Sequence, residues 1–518
     1  MLATALLLLT ALAADAEPKG PVEADLVIRG ATIHDGSGQD AVVADVAVRG
    51  RRIVAVGEFE VRGEPREIEA AGMIVAPGFI DLHSHSDRTI TEEKTRGNVN
   101  FLMQGCTSVL TGNCGGGKLD VEKYLRDVDE HGAGTNVLHL VPQGALRSSV
   151  VGSVNRPPSP AELKEMQRQL DEALTAGAWG MSSGLIYLPS RYADTDELVE
   201  LSRVVARHDG IYATHMRNEG SQVLEAIEEA LEIGRRSEAR LHISHFKVSG
   251  PSAWGLARDA VELVREARGA GQVVTADQYP YTASSTSLAA MTLPADVRSK
   301  EEIEAATADP NRRTDLYDAI DAALARRGGP QRLVVADYKV DRTWQGKNLA
   351  DLAAEQKRDV RDLILEIQRG GGASMVNFGM SEEEVRLIMQ QSFVATASDG
   401  SARDARAETK PHPRSYGTFP RKIGRYAIAG KTVSVAQAIR SASGLPADIL
   451  KLPHRGYLRP GYAADIVVFD PATFRDTATF EDPHQFATGV RYVLVNGRLA
   501  VSEGKPTGEL HGRAIRRQ

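Results

Sequence analysis

Cysteine is nearly absent: 518 residues hold only Cys106 and Cys114. A disulfide-stapled scaffold is therefore excluded, and the fold must rest on buried apolar side chains. The pair is not expected to bridge. The stretch "CTSVLTGNC" reads as one β-rich strand, whose ends would lie about 26 Å apart at ~3.3 Å per residue, far beyond the ~7 Å limit on Cα separation. At least one thiol is then free for other chemistry. Blocks of lysine or arginine are missing too, and the formal net charge is -7, so nucleic acid is not an expected partner. No apolar run reaches the ~20 residues of a transmembrane helix, which excludes stable membrane insertion by such a helix.

The first sixteen residues, "MLATALLLLTALAADA", form an apolar stretch with small-x-small sites at Ala11-Leu12-Ala13 and Ala14-Asp15-Ala16. They predict a signal peptide over 1–16 and export to the periplasm or medium, although the usual basic residue before the apolar run is lacking. The chain is too long for one ordinary core, so a large domain and a smaller one are expected.

Short β-branched runs open the chain after the leader ("ADLVIRGATIHDGSG", "VVADVAVRGRRIVAVGE") and return at its end ("GYAADIVVFDP", "RYVLVNGRLAVSEGK"). One β-sandwich built from both ends, over 17–76 and 447–518, is the expectation. Between them, over 77–446, apolar runs alternate with helical stretches such as "SPAELKEMQRQLDEALTAG". That alternation predicts parallel strands with crossover helices. Eight runs qualify: "GFIDLHSH", "TSVLTGNC", "NVLHLVPQG", "GMSSGLIY", "IYATHMR", "LHISHFKV", "VVTADQYPY" and "FVATASDG". Eight closes a (β/α)8 barrel of the α/β class, inserted into the sandwich. A long polar segment at about 292–370 separates the last two runs and reads as an inserted lid or subdomain.

In such barrels reactive groups stand at the C-terminal ends of the strands. Run one ends in His83 and His85, run two in Cys114, run five in His215, run six in His245 and run eight in Asp399. Strand alternation puts His83 and His85 on one face, able to reach one ion. His242 and His245 cannot both point inward on that rule. His245 is chosen because it ends the run beside Lys247, which leaves His242 outward against a helix. Each residue alone has an ordinary structural reading, Asp399 as a helix cap and Cys114 as a small buried hydrophobe among them. Their coincidence at the ends of five strands points to a metal.

The motifs "PGFIDLHSHSD", "TGNCG", "THMRNEG", "SHFKV", "YPYTASSTSL", "SDG", "HPRSYGTFPR" and "LRPGYAADIVVFDP" resemble, in order and spacing, those of the amidohydrolase superfamily and within it the N-acyl-D-amino-acid deacylases. Many superfamily members bridge two metals with a strand-four lysine, but no lysine occurs from Met181 to His215. The resemblance gives that place to Cys114. It implies a tight zinc site of Cys114, His215 and His245, with His83, His85 and Asp399 at a second position that is weak or empty. It further implies hydrolysis of N-acyl-D-amino acids, with Lys247, Tyr279, Ser285 and Arg414 as holders of the α-carboxylate. Expulsion of the amine needs an acid, and Asp399 is the expected proton shuttle because strand eight offers no other titratable group, with a lysine or a histidine as the alternative. For Lys247 a rim salt bridge, and for the tyrosines of "YPY" a core position, remain open, and Arg217 shares a strand face with His215.

After "STS" comes "LAAMTLPADV", without an arginine in its first residues, so an apolar D-residue is expected over an acidic one, with Arg298 near enough to keep the question open. The rival readings are another hydrolase of the same scaffold, such as an L,D-dipeptidase or a dihydropyrimidinase-like cyclic amidase, and, ranked below both, a noncatalytic binding barrel. The oligomeric state is not legible.

Overall fold

The computed structural model describes residues 20–518, and the leader at 1–16 lies outside them. Eight short parallel strands organise the chain: β1 (Phe79–Asp81), β2 (Cys106–Thr111), β3 (Asn136–His139), β4 (Gly180–Gly184), β5 (Ile211–His215), β6 (Arg240–Ile243), β7 (Val274–Gln278) and β8 (Val394–Thr396). Nearly every position in them is buried, as parallel strands covered on both faces require. Neighbours pair in parallel register from β1 to β3 and from β4 to β8. Two joints complete a hydrogen-bonded circuit. Val141–Pro142 continues β3 against β4, and beyond β8 the Asp399 amide donates to His83 O at 2.8 Å while His85 N donates to Gly400 O at 2.7 Å.

The crossover helices follow from their sequence. Pro160–Thr175 starts with a capping box between Ser159 and Glu162 and buries Met166, Leu170 and Leu174 at helical spacing against the strands. At the opposite end of the circuit from the site, Leu445, Ile449, Leu450 and Leu452 pack on Ile80, Leu110, Leu138 and Ile211. The expected boundary at 447 therefore falls inside a segment that covers the strand array. The last residues return to the array as well: Val137 N donates to Arg513 O at 3.0 Å, Ile515 N to Val137 O at 2.8 Å, and the Trp179 indole to Ile515 O at 2.7 Å.

The terminal segments do share one β-structure, but as a single nine-stranded sheet with a two-stranded one (Val22–Glu23 with Val61–Arg62) beside it. Ile74–Pro77 pairs with Leu26–Ile33 on one side and with Ile466–Phe469 on the other. The two ends of the chain are joined edge to edge within that sheet. The insertion is wider than 292–370. It opens with Ser284–Ser287, which pairs antiparallel with Ser374–Asn377, itself paired with Leu333–Asp337. Leu316, Ile320, Leu333, Ile364 and Met375 give it a core of its own. Among the described residues no helix is long and apolar enough to cross a membrane.

Candidate metal and active site

Past the strand ends the chain leaves regular β structure, and the ligand-type side chains stand there. Cys114, His245 and Asp399 have φ of 54°, 38° and 49°, a left-handed backbone unusual outside glycine. Such turns bend each side chain back over the circuit. The fourth strand makes room for the first of them: a Cβ on Gly184 would collide with Cys114 O.

All six expected ligands converge. Cys114 Sγ lies 3.3 Å from His83 Nε2, 3.5 Å from His245 Nε2 and 3.8 Å from His215 Nδ1. His85 Nε2 is 3.1 Å from Asp399 Oδ1, and His83 Nε2 is 3.6 Å from the same oxygen. Three overlapping triads (His83, His85, Cys114; Cys114, His215, His245; His83, His245, Asp399) each bring their ligand atoms within 4.8 Å of one another. The expectation that His83 and His85 converge by strand alternation is corrected, since β1 ends at Asp81 and both lie in the following loop. Burial pushes the Cys114 thiol up, but the imidazoles of His83 and His245 hold it well below the usual thiol range, and His215 and His245 bond to it. Imidazoles, a thiolate and a carboxylate so placed are a donor set that fits a divalent metal of zinc type. Burial instead drives Cys106 well above that range, and it stays a buried free thiol.

Behind the ligands lies a layer that the sequence did not reveal. Asp277, on β7, accepts from His242 Nε2 at 2.8 Å and from the His245 amide at 2.8 Å, and its Oδ2 is 3.3 Å from His83 Nδ1. Burial raises Asp277, yet the neighbouring imidazoles, His83 first, hold it well below the usual carboxylate range. His242 is thus not outward against a helix: it is buried within this layer, bonded to Asp277 and to Thr275 Oγ1 at 2.9 Å. Glu219, four residues beyond His215, is the second missed group. Its Oε1 is 2.9 Å from His245 Nδ1 and 2.6 Å from Lys247 Nζ.

The four expected substrate-holding residues share one wall. Arg414 Nη1 comes to 2.8 Å from Asp399 Oδ2, an ionic contact that still leaves this nitrogen without a hydrogen-bond partner, while Nη2 donates to Ser285 O at 3.3 Å. Its guanidinium lies over the Tyr279 ring, 4.7 Å from the centroid. The Tyr279 hydroxyl is buried and has no partner. Lys247 makes the salt bridge left open above, with Glu219, and also donates to His245 O at 2.9 Å. Burial raises Asp399, but Arg414, His83 and His85 hold its carboxyl well below the usual range. Arg217 turns away from the ligands and forks onto Glu229 and the carbonyls of Arg191 and Ala193. All of this opens into a cavity of about 1640 Å³ between the strand ends and the insertion.

Residues 66–501 match the model of an amidohydrolase family. A D-aminoacylase from Alcaligenes xylosoxydans xylosoxydans is 34% identical over 95% of this chain and 98% of its own. The chain belongs to the amidohydrolase family, among the N-acyl-D-amino-acid deacylases. A solved D-aminoacylase with a binuclear metal centre, activated by one metal and attenuated by the second, superposes with a TM-score of 0.83 at 33% identity over 95% of this chain and 100% of that one. An N-acyl-D-glutamate deacylase from Bordetella bronchiseptica, solved with zinc and a phosphonate mimic of the tetrahedral intermediate, superposes at 0.81 and 32% identity over 96% and 100% of the two chains.

Proposed function

We propose that this member of the family is a zinc-dependent hydrolase of N-acyl-D-amino acids, releasing a carboxylate and a free D-amino acid. The observation that carries the reading is Cys114 Sγ within 3.8 Å of three imidazoles, on a site whose wall offers an unpartnered hydroxyl, Tyr279 Oη, beside the Arg414 guanidinium. In this reading Cys114, His215 and His245 would hold one zinc ion tightly, and His83, His85 and Asp399 a second more weakly. Zinc held there supplies a Lewis acid for the amide carbonyl and acidifies water towards neutral pH. The eight-strand circuit is read as a (β/α)8 barrel carried on a β-domain from both termini, with the segment around Ser284–Asn377 as a lid. Residues 1–16 are read as an export leader, which fractionation of the full-length and truncated proteins tests.

The chain's own residues then divide the work. Lys247, Tyr279, Ser285 and Arg414 hold the α-carboxylate, a task that suits cations with hydroxyl donors. Asp399 takes a proton from the attacking water as the new C–O bond forms, and hands it to the amide nitrogen as the C–N bond breaks. Asp277 and Glu219 fix the ring orientations of His83 and His245. A panel of N-acetyl-D-, N-acetyl-L- and L,D-dipeptide substrates, assayed with zinc bound, tests the reading: turnover of the N-acetyl-D compounds over their L forms is expected. Cleavage of the dipeptides alone moves the protein to the dipeptidases, and no turnover at all leaves a binding protein.

A further inference from the structure

The cavity is more cationic than the protein that surrounds it. The chain carries a net charge of -7, yet the cavity wall contains six cations with no carboxylate within salt-bridge distance among the described residues: Arg88, Arg191, Arg326, Arg327, Lys339 and Arg403. The other wall cations, Arg217, Lys247 and Arg414, are matched by Glu229, Glu219 and Asp399. Only Glu225 and Asp337 among the lining acids lack an ionic partner. Elsewhere on the molecule arginines are commonly paired, as on the helix Pro160–Thr175, where Arg168 bonds both Glu165 and Glu172.

Arg327 is the most constrained of the six. It is half-buried, and its one side-chain hydrogen bond among the described residues runs from Nη1 to Ala323 O, 3.2 Å away in the helix it ends. The end of that helix is fixed on the loop after β6. Gly250, at φ +102°, has no room for a Cβ against Arg326 O, and its amide donates to Gly379 O at 2.8 Å. The adjoining Ser249 amide donates to Glu219 O at 2.7 Å. One short loop thus ties the helix end that carries Arg326 and Arg327 to the side of the cavity that carries His245 and Lys247. Burial and the neighbouring Arg326 push the Arg327 guanidinium down to about 10, against a weaker pull from Glu219. A half-buried cation without a carboxylate partner, beside another cation, is stabilised by an anionic ligand. The cavity also exceeds the ~300–1,000 Å³ of ordinary small-molecule sites, so it has room for more than a short acyl chain.

We infer that Arg327, with the adjacent Arg326, forms a second anion subsite on the cavity wall, and that the substrate carries a second carboxylate besides its α-carboxylate. This rests on the deacylase reading and deepens it. The second carboxylate belongs either to the D-residue's side chain or to the acyl group. The sequence expectation of an apolar residue came from the stretch just after Ser287, whereas these cations arrive from later in the insertion.

Three zinc-loaded assays test the inference: kcat/KM for N-acetyl-D-leucine, N-acetyl-D-glutamate and N-succinyl-D-leucine, in the wild type and in Arg327→Met. One dicarboxylate should exceed N-acetyl-D-leucine by roughly tenfold, and Arg327→Met should cut that ratio by roughly tenfold, with Arg327→Lys retaining part of it. Preference for the glutamate compound assigns the side chain, and preference for the succinyl compound assigns the acyl group. N-acetyl-D-leucine turned over as well as both, or a ratio unchanged in Arg327→Met, overturns the subsite and leaves the deacylase reading standing. No turnover of any of the three overturns the deacylase reading and the subsite with it. Should Arg327→Met fail to fold, the wild-type ratio decides: it should fall severalfold between about 0.05 and 0.5 M salt, and a constant ratio overturns the subsite.

Discussion

Three histidines of the cluster each turn one ring nitrogen toward Cys114 and the other toward a carboxylate, His83 toward Asp277, and His245 and, at 3.6 Å, His215 toward Glu219, and the two carboxylates differ in kind. Asp277 backs His83 from the interior. It is fully buried, sits on a strand, and takes its other bonds from His242 and the His245 amide, with no lysine or arginine within salt-bridge distance among the described residues. Glu219 backs His245 from the cavity side. It sits on a loop, keeps 13% side-chain exposure, and shares its charge with Lys247 at 2.6 Å. A ligating imidazole gains basicity from the carboxylate behind it, and a carboxylate already neutralised by a cation has less to give. The His83 half is thus a fixed frame, and the His245 half is the one coupled to the cavity through Lys247.

Cys114 belongs to both halves, so its loss erases the contrast. Cys114→Ala should abolish activity and stoichiometric zinc together, measured by metal analysis and turnover of an N-acetyl-D-amino acid, while Cys106→Ala should leave both in place. Retained zinc and near-normal turnover in Cys114→Ala would remove the thiolate from the site. Asp399 joins the frame to the substrate wall through His85 and Arg414. Asp399→Asn should lower kcat by roughly 10² to 10⁴ with little change in KM and with zinc at the tight position kept. An unimpaired kcat sinks the shuttle role, and recovery on added zinc would credit a second metal instead.

The six converging side chains were legible in the sequence because each follows a buried apolar run, and such runs announce strands. Their partners were not. Alternation sets His242 and His245 on opposite faces, but β6 stops at Ile243 and a left-handed turn follows at His245, so the His242 ring and the His245 amide both meet Asp277 while the His245 ring turns to Cys114 and Glu219. Asp277 carries the only hint available to sequence, a charged residue inside an otherwise apolar strand. Glu219 carries less, since its role arises when the loop after β5 meets the loop after β6. The insertion's first strand, "SSTS", has no apolar alternation at all, which is why its edge was set too late in the chain.

The smaller effects separate the two carboxylates directly. Asp277→Asn keeps the shape but offers one acceptor oxygen where His83, His242 and the His245 amide all require one, and its amide nitrogen faces donors. Zinc affinity, measured by competition with a chelator, should fall by about 10- to 100-fold, and the melting temperature should drop because a buried bond is left unmade. Glu219→Gln keeps one acceptor for His245 Nδ1 and loses a charge that Lys247 already offsets. Its zinc affinity should change by less than about tenfold, with the larger effect on KM, because Lys247 is freed from its partner and reoriented toward the cavity. Measured on folded protein at one pH, the two zinc affinities decide the matter. If Glu219→Gln loses as much zinc as Asp277→Asn, charge sharing with Lys247 does not distinguish the halves and the site is one uniformly supported cluster. If it loses little zinc but shifts KM, the substrate is recognised through the same carboxylate that orients a metal ligand.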